Sequence, residues 1–546
     1  MPHNAPMHSD APSIPTLTSE AVRAMLRARE EIALLDVREE DPFARQHPLF
    51  AAQLGAGRLE LDASWRLPRR DVTIAVYDDG EGLAQAAAQR LREMGYTRVH
   101  LLADGLEGWR RSGGELFQDV NAPSKAFGEL VEHEVHTPSL SATEVKALLD
   151  ARADVVVLDA RRFDEYRTMN IPGSISVPGA ELALRVRELA PDPATRVIVN
   201  CAGRTRSIIG TQSLVNAGIP NPVAALRNGT MGWTLDGFTL EHGQTRRFGE
   251  AQPASREAAR AAARRLAERA GVQRLPAEAI DAPPPAGRTV YRYDVRSPGE
   301  YAAGHLPGFG SAQGGQLVQE TDVFAPVRGA RIVLVDGGDD VRAPMTAHWL
   351  AQMGWEVAWI EGVPAARFDD RSAWPPAPVA PQVPTLAPAE LAAGLEAGDT
   401  WLVDLDASAA YVQRHIPGAW WALRAQLPAV LDRIGQGRPQ PRRIVLTSGD
   451  GLLARFAVRD LAGTTEATVL ALAGGTSAWM AEGRPADAGD ALLASPRIDR
   501  YRRPYEGTQS AREAMQAYLD WEFGLVAQLA RDGTHGFRVL QPEARG

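Results

Sequence analysis

The 546 residues of the chain include a single cysteine, Cys201. This excludes a disulfide framework within the chain and any metal site built from several cysteines, so thiol chemistry must rest on Cys201. Long apolar runs are also lacking, because no stretch approaches the roughly 20 apolar residues that span a bilayer. Residues 1–20 contain no basic segment followed by an apolar one. We therefore expect a cytoplasmic protein without a signal peptide or a membrane partner.

The chain has no excess of positive charge either, since its formal net charge is -9. Such a balance gives no general attraction to nucleic acid, and any anion site must be built locally. With 45% hydrophobic and 23% charged residues, the composition is that of a globular protein. The length predicts roughly three to five domains.

Four segments repeat one order of motifs. Each has an apolar strand pattern ending in an acidic residue, then a turn resembling His-Pro or Ile-Pro-Gly, then a second apolar strand, a short polar loop and a helix pattern. Strands that alternate with helices at this spacing indicate parallel sheets. The predicted fold is therefore α/β, with four tandem domains, each a mainly parallel sheet flanked by helices, at residues 13–117, 135–245, 270–372 and 384–487.

Three further segments lie outside the repeats. Residues 250–270 are rich in Ala, Arg and Glu and predict a helical connector, and the proline-rich residues 374–384 predict an extended linker. Residues 497–546 predict a helical tail. We expect this tail to pack across the repeats, with a partner-binding helix as the alternative.

The sequence NCAGRTRS places Cys201 where an apolar strand ends and a helix begins. Backbone N–H groups and the positive end of a helix dipole converge at such a point and bind anions. Together with Arg204 and Arg206 they should lower the pKa of the thiol, which would make Cys201 a thiolate nucleophile near neutral pH. The alternative is a buried, inert cysteine, which two arginines and a glycine within five residues disfavour.

The order of motifs in each of the four repeats resembles that of the rhodanese family of sulfurtransferases. The resemblance covers roughly residues 13–487. The resemblance implies a catalytic Cys201 in the second repeat and no metal or organic cofactor. It also implies substrate binding by the loop residues Ala202, Gly203, Arg204, Thr205, Arg206 and Ser207, with Arg161 as a further candidate.

A cysteine phosphatase is the main alternative, because such enzymes also place a cysteine at the start of an anion-binding loop that ends in arginine. Their loops have five residues between the two, whereas four separate Cys201 from Arg206. The shorter loop favours sulfur transfer.

The equivalent loops of the first, third and fourth repeats carry Asp78, Asp336 and Ser448 in place of Cys201. None of these is a thiol, and the first and third loops are acidic, so they would repel an anionic donor. We predict that these repeats are structural or form walls around the active one.

Three other recurring features have structural interpretations. Asn170 stands where the third and fourth repeats have His305 and His415, which we interpret as turn residues. The recurring tryptophan, Trp233 in the second repeat, predicts a core anchor. Asp159 with Arg161 predicts a structural ion pair.

The resemblance implies a two-step reaction in which Cys201 takes the outer sulfur of thiosulfate, releases sulfite and passes the sulfur to cyanide or a thiol. Arg204 and Arg206 would bind the anionic donor. The alternative donors are 3-mercaptopyruvate and glutathione persulfide. A different possibility is a persulfide carrier or scaffold that serves a protein sulfur acceptor.

Overall fold

A computed structural model describes residues 13–507 and 510–542. Residues 1–12, on which the expectation of no signal peptide partly depends, lie outside these ranges, as do residues 508–509 and 543–546 of the predicted tail.

The first repeat is a parallel sheet with helices on its faces. Its strands, in spatial order, are Thr16–Leu17, Val99–Leu102, Thr73–Tyr77, Ile32–Asp36 and Ala51–Gln53. Its helices are Ser19–Ala28, Glu40–Arg45, Ala56–Arg58, Leu59–Arg66, Ala84–Glu93 and Gly105–Arg111.

The second repeat has the same strand order and parallel pairing. Its strands, across the sheet, are Ser139–Leu140, Val223–Leu226, Arg196–Asn200, Val155–Asp159 and Ile175–Ser176. Its helices are Ala142–Asp150, Phe163–Thr168, Gly179–Glu181, Leu182–Leu189, Thr205–Asn216 and Gly229–Leu235.

The third repeat keeps this topology although its last motif differs in sequence. Its strands are Gln273–Leu275, Glu356–Ile360, Arg331–Val335, Val290–Asp294 and Gly310–Ser311. Its helices are Ala277–Asp281, Pro298–Ala303, Gly314–Gln319, Thr321–Phe324, Arg342–Gln352 and Ala365–Arg367. The last is a single 3₁₀ turn, where the other repeats have the helix that carries the recurring tryptophan.

The fourth repeat completes the series. Its strands are Thr385–Leu386, Thr468–Leu472, Arg443–Thr447, Thr400–Asp404 and Trp420–Trp421. Its helices are Pro388–Ala397, Ser408–Gln413, Arg424–Gln426, Leu427–Gly435, Leu452–Asp460 and Gly475–Ala481. The predicted α/β class with four mainly parallel sheets is confirmed.

Helices connect and cover the repeats. The predicted connector is the helix Pro253–Arg269, and a further helix that the sequence analysis did not predict, Ala122–Val135, joins the first two repeats. We name Ala122–Val135 the linking helix. The tail contains the predicted helices, Arg512–Phe523 and Leu525–Asp532.

The repeats pack on one another through apolar and charged contacts. A short strand of the third repeat, Val327–Arg328, pairs antiparallel with Ile32–Asp36 of the first, and the two repeats share one apolar core. Buried ion pairs join the remaining repeats: Arg424 contacts Glu60 at 2.7 Å, and Arg342 contacts Glu181 at 2.8 Å. Within the described ranges, no helix is long and apolar enough to cross a membrane.

Candidate active site

Cys201 directly follows Arg196–Asn200, the middle strand of the second sheet, and precedes the helix Thr205–Asn216. In a parallel sheet, ligands bind at the carboxyl ends of the strands, so the cysteine lies at the expected edge. Its thiol is 2% exposed, and Sγ lies 3.4 Å from Ser207 Oγ, which donates to the Arg204 carbonyl at 2.8 Å. We name residues 201–207 the cysteine loop.

The pKa of the Cys201 thiol is raised rather than lowered, so the expectation of a depressed pKa is wrong for this structure. Burial is the largest cause, because an apolar environment disfavours the thiolate. Arg206 and hydrogen bonds with the side chain and backbone of Ser207 act in the opposite direction, and the carboxyl of Glu522 adds to the rise. Removal of water from the thiol thus outweighs the charge of Arg206 and the hydrogen bonds with Ser207.

Both arginines of the cysteine loop are bound by carboxylates. Arg206 donates to both oxygens of Glu165, at 2.7 and 2.8 Å, and this contact helps to hold the pKa of Glu165 at about 2 despite burial. Arg204 donates to both oxygens of Glu129, at 2.7 and 2.8 Å, and also contacts Glu132. The linking helix supplies these last two glutamates. A direct role of either arginine in donor binding stays a prediction.

The small residues of the cysteine loop lie against neighbouring elements. Ala202 is buried, and its carbonyl accepts from the backbone N–H of Met231 at 3.0 Å. A Cβ built on Gly203 would lie 3.0 Å from Met231 Cε. Thr205 begins the helix and packs on Gly128 of the linking helix, where an added Cβ would lie 3.0 Å from the threonine methyl.

The equivalent loop positions of the other repeats are filled by their own side chains. The carboxylate of Asp78 accepts from the backbone N–H groups of Leu83 and Ala84 at 2.5 and 2.9 Å. The carboxylate of Asp336 accepts from Val341 and Ala343 at 2.8 and 3.0 Å. In these two repeats a fixed carboxylate thus occupies the place to which the helix N–H groups point. Ser448 Oγ accepts from Ala454 at 3.3 Å in the same way.

The predicted ion pair of Asp159 and Arg161 is confirmed. Arg161 Nη2 lies 2.7 Å from Asp159 Oδ2, both side chains are buried, and the guanidinium also donates to the Met169 carbonyl at 2.6 Å. The same pair recurs as Asp36 with Arg38 and as Asp294 with Arg296. The guanidinium thus secures the turn after the helix Phe163–Thr168, and its role as a substrate ligand stays a prediction.

The turn and tryptophan interpretations are also confirmed. His305 and His415 stack on Tyr301 and Tyr411, and each ring lies within hydrogen-bond distance of its tyrosine's carbonyl. Trp233 is fully buried in the core, and its indole N–H donates to the Thr239 carbonyl at 2.8 Å.

The tail packs across the repeats, as predicted. Met515, Tyr518 and Leu519 form an apolar cluster with Met231 beside the cysteine loop. Farther along, Leu525, Leu529 and Phe537 join the core shared by the first and third repeats.

Sequence reasoning missed the residues that the tail and the linking helix bring to the site. Glu522 of the tail reaches Gly203, because a Cβ on this glycine would lie 3.5 Å from Glu522 Oε2. Lys125 and Glu129 of the linking helix are close enough for their charges to act on Glu522. Nothing in the sequence of residues 122–135 pointed to Cys201.

The glycine-rich turn before Trp233 allows close contact with the cysteine loop. Gly229 has a φ of +54°, and a Cβ there would lie 2.3 Å from the Cys201 carbonyl oxygen. In the first and fourth repeats, a Cβ built on Gly105 would lie 2.6 Å from the Asp78 carbonyl oxygen, and one built on Gly475 would lie 2.1 Å from that of Ser448. The turn motif therefore recurs because only glycine fits against the loop.

Replacing Gly229 with alanine is expected to displace Cys201. Backbone strain alone should lower the free energy of unfolding by about 1–3 kcal/mol, and the clash with the Cys201 carbonyl should add to that and reduce turnover. Gly243→Ala is the matched control, since Gly243 has a φ of +70° with nothing within 4 Å of an added Cβ. Thermal unfolding and sulfur-transfer assays compare the two variants. Equal losses in both would contradict the close contact.

A family model for the rhodanese-like domain matches residues 18–112, 141–236 and 387–482, more than half of the chain. The third repeat lies outside these matches but has the strand order of the second and fourth. The crystal structure of a thiosulfate sulfurtransferase from Pseudomonas aeruginosa is 64% identical, covers 97% of this chain and 100% of its own, and has a TM-score of 0.94.

Two curated relatives match parts of the chain. An HTH-type transcriptional regulator from Mycobacterium tuberculosis is 30% identical over 90 residues, 16% of this chain and 39% of the regulator. A putative sulfur carrier protein from Bacillus subtilis is 24% identical over 136 residues, 23% of this chain and 72% of the carrier. The chain thus spans well under half of the regulator's length. The extended match to the Pseudomonas structure favours sulfur transfer over the phosphatase alternative. The chain belongs to the rhodanese-like family and is a sulfurtransferase.

Proposed function

We propose that this sulfurtransferase acts in the cytoplasm and moves the outer sulfur of thiosulfate to a thiol or to cyanide through a persulfide on Cys201. One observation carries the proposal. In the first and third repeats, a carboxylate accepts hydrogen bonds at the N-terminus of the helix after the loop. At the equivalent position of the second repeat, the side chain is the thiol of Cys201. An atom that gains negative charge there is stabilised by the N–H groups.

The reaction has two transfers. In the first, the Cys201 thiolate attacks the outer sulfur of thiosulfate, the S–S bond of the donor breaks, and sulfite leaves with the electron pair. In the second, the acceptor attacks the terminal persulfide sulfur, and the cysteine thiolate leaves. Because the enzyme is modified between the two, the kinetics should be ping-pong.

Thiosulfate is the donor we favour over 3-mercaptopyruvate and glutathione persulfide. Support comes from the 64% identical thiosulfate sulfurtransferase and from the two arginines of the cysteine loop. Since Arg204 and Arg206 are each bound by glutamates, they act on the donor mainly by fixing the loop and by long-range charge. Turnover measured on the three donors should be highest with thiosulfate. Preference for either other donor would contradict this assignment.

The persulfide can be observed directly because the chain has one cysteine. Intact-mass spectrometry after incubation with thiosulfate should show one added sulfur atom, and cyanide should remove it. An active protein whose mass does not change after incubation with thiosulfate alone would rule out the covalent route.

A persulfide carrier that serves a protein acceptor is a second candidate function. The match to a putative sulfur carrier favours it. Turnover with cyanide and no partner protein separates the two candidates. Rapid turnover indicates an enzyme acting on small molecules, whereas a stable persulfide with slow turnover indicates a carrier.

A further inference from the structure

The tail places a carboxyl group against the cysteine loop. Glu522 lies near the end of the helix Arg512–Phe523 and is 1% exposed. Its Oε1 accepts a hydrogen bond from the Tyr518 hydroxyl at 2.8 Å. Its Oε2 is buried and has no hydrogen-bond partner among residues 13–507 and 510–542. This free oxygen is the one that would lie 3.5 Å from a Cβ on Gly203, two residues beyond Cys201.

The cations near Glu522 are engaged by other carboxylates. Lys125 contacts Asp119 at 2.7 Å, and Arg204 is held by Glu129. Within the described part of the chain, Glu522 therefore has a buried carboxyl group without an ion-pair partner of its own. Such a group is most stable when it is neutral.

The electrostatics of Glu522 and Cys201 are linked. Burial, followed by the charge of Glu129, raises the pKa of Glu522 to about 8, whereas Lys125, Tyr518 and Arg204 oppose the rise. Glu522 in turn helps to raise the pKa of Cys201. Two buried groups that each disfavour the ionisation of the other titrate as a pair, and one negative charge in the pair is better tolerated than two.

We propose that Glu522 is a proton-transfer residue of the Cys201 site and that its carboxyl group and the Cys201 thiol, which are not hydrogen-bonded to each other in the described structure, titrate as a pair that holds one proton. The inference rests on the proposed function and adds a residue from outside the rhodanese-like domains. When the proton lies on Glu522, Cys201 is the thiolate that attacks the sulfur donor. The Oε2 atom, which no other group engages, carries the exchangeable proton.

The proton balance closes over both transfers. After sulfite leaves, the neutral Glu522 gives its proton to the terminal persulfide sulfur and becomes a carboxylate. An acceptor thiol then gives its proton to Glu522 while its sulfur attacks the terminal sulfur. The Cys–S bond to that sulfur breaks, Cys201 leaves as thiolate, and the acceptor departs as a persulfide that carries the first proton. Cyanide attacks as an anion and brings no proton of its own; the product leaves as the thiocyanate anion, and the proton of the terminal sulfur returns to Glu522.

Glu522→Gln tests the proposal because it keeps an acceptor for Tyr518 and removes the exchangeable proton. Turnover with a thiol acceptor should fall roughly a hundredfold, whereas turnover with cyanide at a fixed concentration of the anion should fall much less. The thiolate absorbance of the single cysteine, taken as a difference against Cys201→Ser, should titrate at lower pH than in the unmodified protein. Unchanged thiol turnover and an unchanged titration would overturn the proposal.

Controls separate this proposal from simpler failures. Glu513→Gln changes an exposed residue of the same helix and should leave turnover and titration unchanged. Tyr518→Phe keeps the carboxyl group of Glu522 but removes its hydrogen bond, so the coupled titration of Glu522 and Cys201 should move to higher pH. An unchanged titration in this variant would contradict the coupling of the two groups, even if Glu522→Gln did not fold. If the unmodified protein forms no persulfide, the proposed function fails instead.

Discussion

Replacing Cys201 with serine is expected to abolish sulfur transfer and to leave the fold intact. Serine differs from cysteine by one atom, and its hydroxyl can keep the contact with Ser207 that the thiol makes at 3.4 Å. A hydroxyl at this position cannot form a persulfide. The fall in kcat should be at least about 10³-fold, as for the loss of other covalent nucleophiles. Thiocyanate formation and intact-mass spectrometry measure the two consequences.

The fourth repeat offers a matched control for this substitution. Ser448 occupies the loop position of Cys201, and its hydroxyl accepts only a weak hydrogen bond at 3.3 Å. Ser448→Ala should therefore leave turnover unchanged, because the fourth loop has neither a thiol nor an arginine. Residual activity in Cys201→Ser that disappears when Ser448 is also replaced would show that a second loop is active. That outcome would contradict the structural interpretation of the Cys-less repeats.

The fold was predictable because its signals are local and repeat. An apolar strand that ends in Asp36, Asp159 or Asp294 is followed two residues later by an arginine, and the structure shows why: the pair is buried and secures the next turn. The position of Cys201 was predictable for the same reason, since the strand, the loop and the helix are contiguous in sequence. The third repeat was recognisable although its last motif has changed.

The electrostatics of the site were not predictable in this way. The sequence shows Arg204 and Arg206 beside Cys201, but the glutamates that bind them, Glu129 and Glu165, lie far from the loop in sequence. The tail, which packs beside the cysteine loop and adds the carboxyl group of Glu522, lies more than 300 residues from Cys201 in sequence. Local sequence therefore indicates which charges are near the cysteine, whereas tertiary packing decides how much of that charge acts on it.

Replacing Arg204 with methionine is expected to lower the free energy of unfolding by about 3–5 kcal/mol, the loss typical of breaking one side of a buried ion pair. The guanidinium is buried, binds both oxygens of Glu129 and lies 4.2 Å from the ring centre of Phe523. Methionine can keep the apolar contact but leaves Glu129 without its cation. A surface pair provides the control: Arg45→Met, which breaks an exposed contact with Asp41, should lose at most about 1 kcal/mol.

The stability that Arg204→Met loses should increase with pH. Burial already raises the pKa of Glu129 in the folded protein, and removal of Arg204 takes away the charge that opposes the rise. A carboxyl group whose folded pKa lies above its unfolded value binds more protons in the folded state. Stability then falls as pH rises between the two values. The loss should accordingly be larger at about pH 8 than at about pH 5, as denaturant unfolding at the two pH values would show.

A second substitution separates the structural role of Arg204 from a role in donor binding. Glu129→Gln in the Arg204→Met background removes the stranded charge and should restore most of the stability, because replacing both partners is far less harmful than removing one. If Arg204 acts mainly by holding the cysteine loop against the linking helix, the double variant should recover a near-normal KM for thiosulfate. A KM that stays high in a protein of restored stability would instead identify Arg204 as a ligand of the donor.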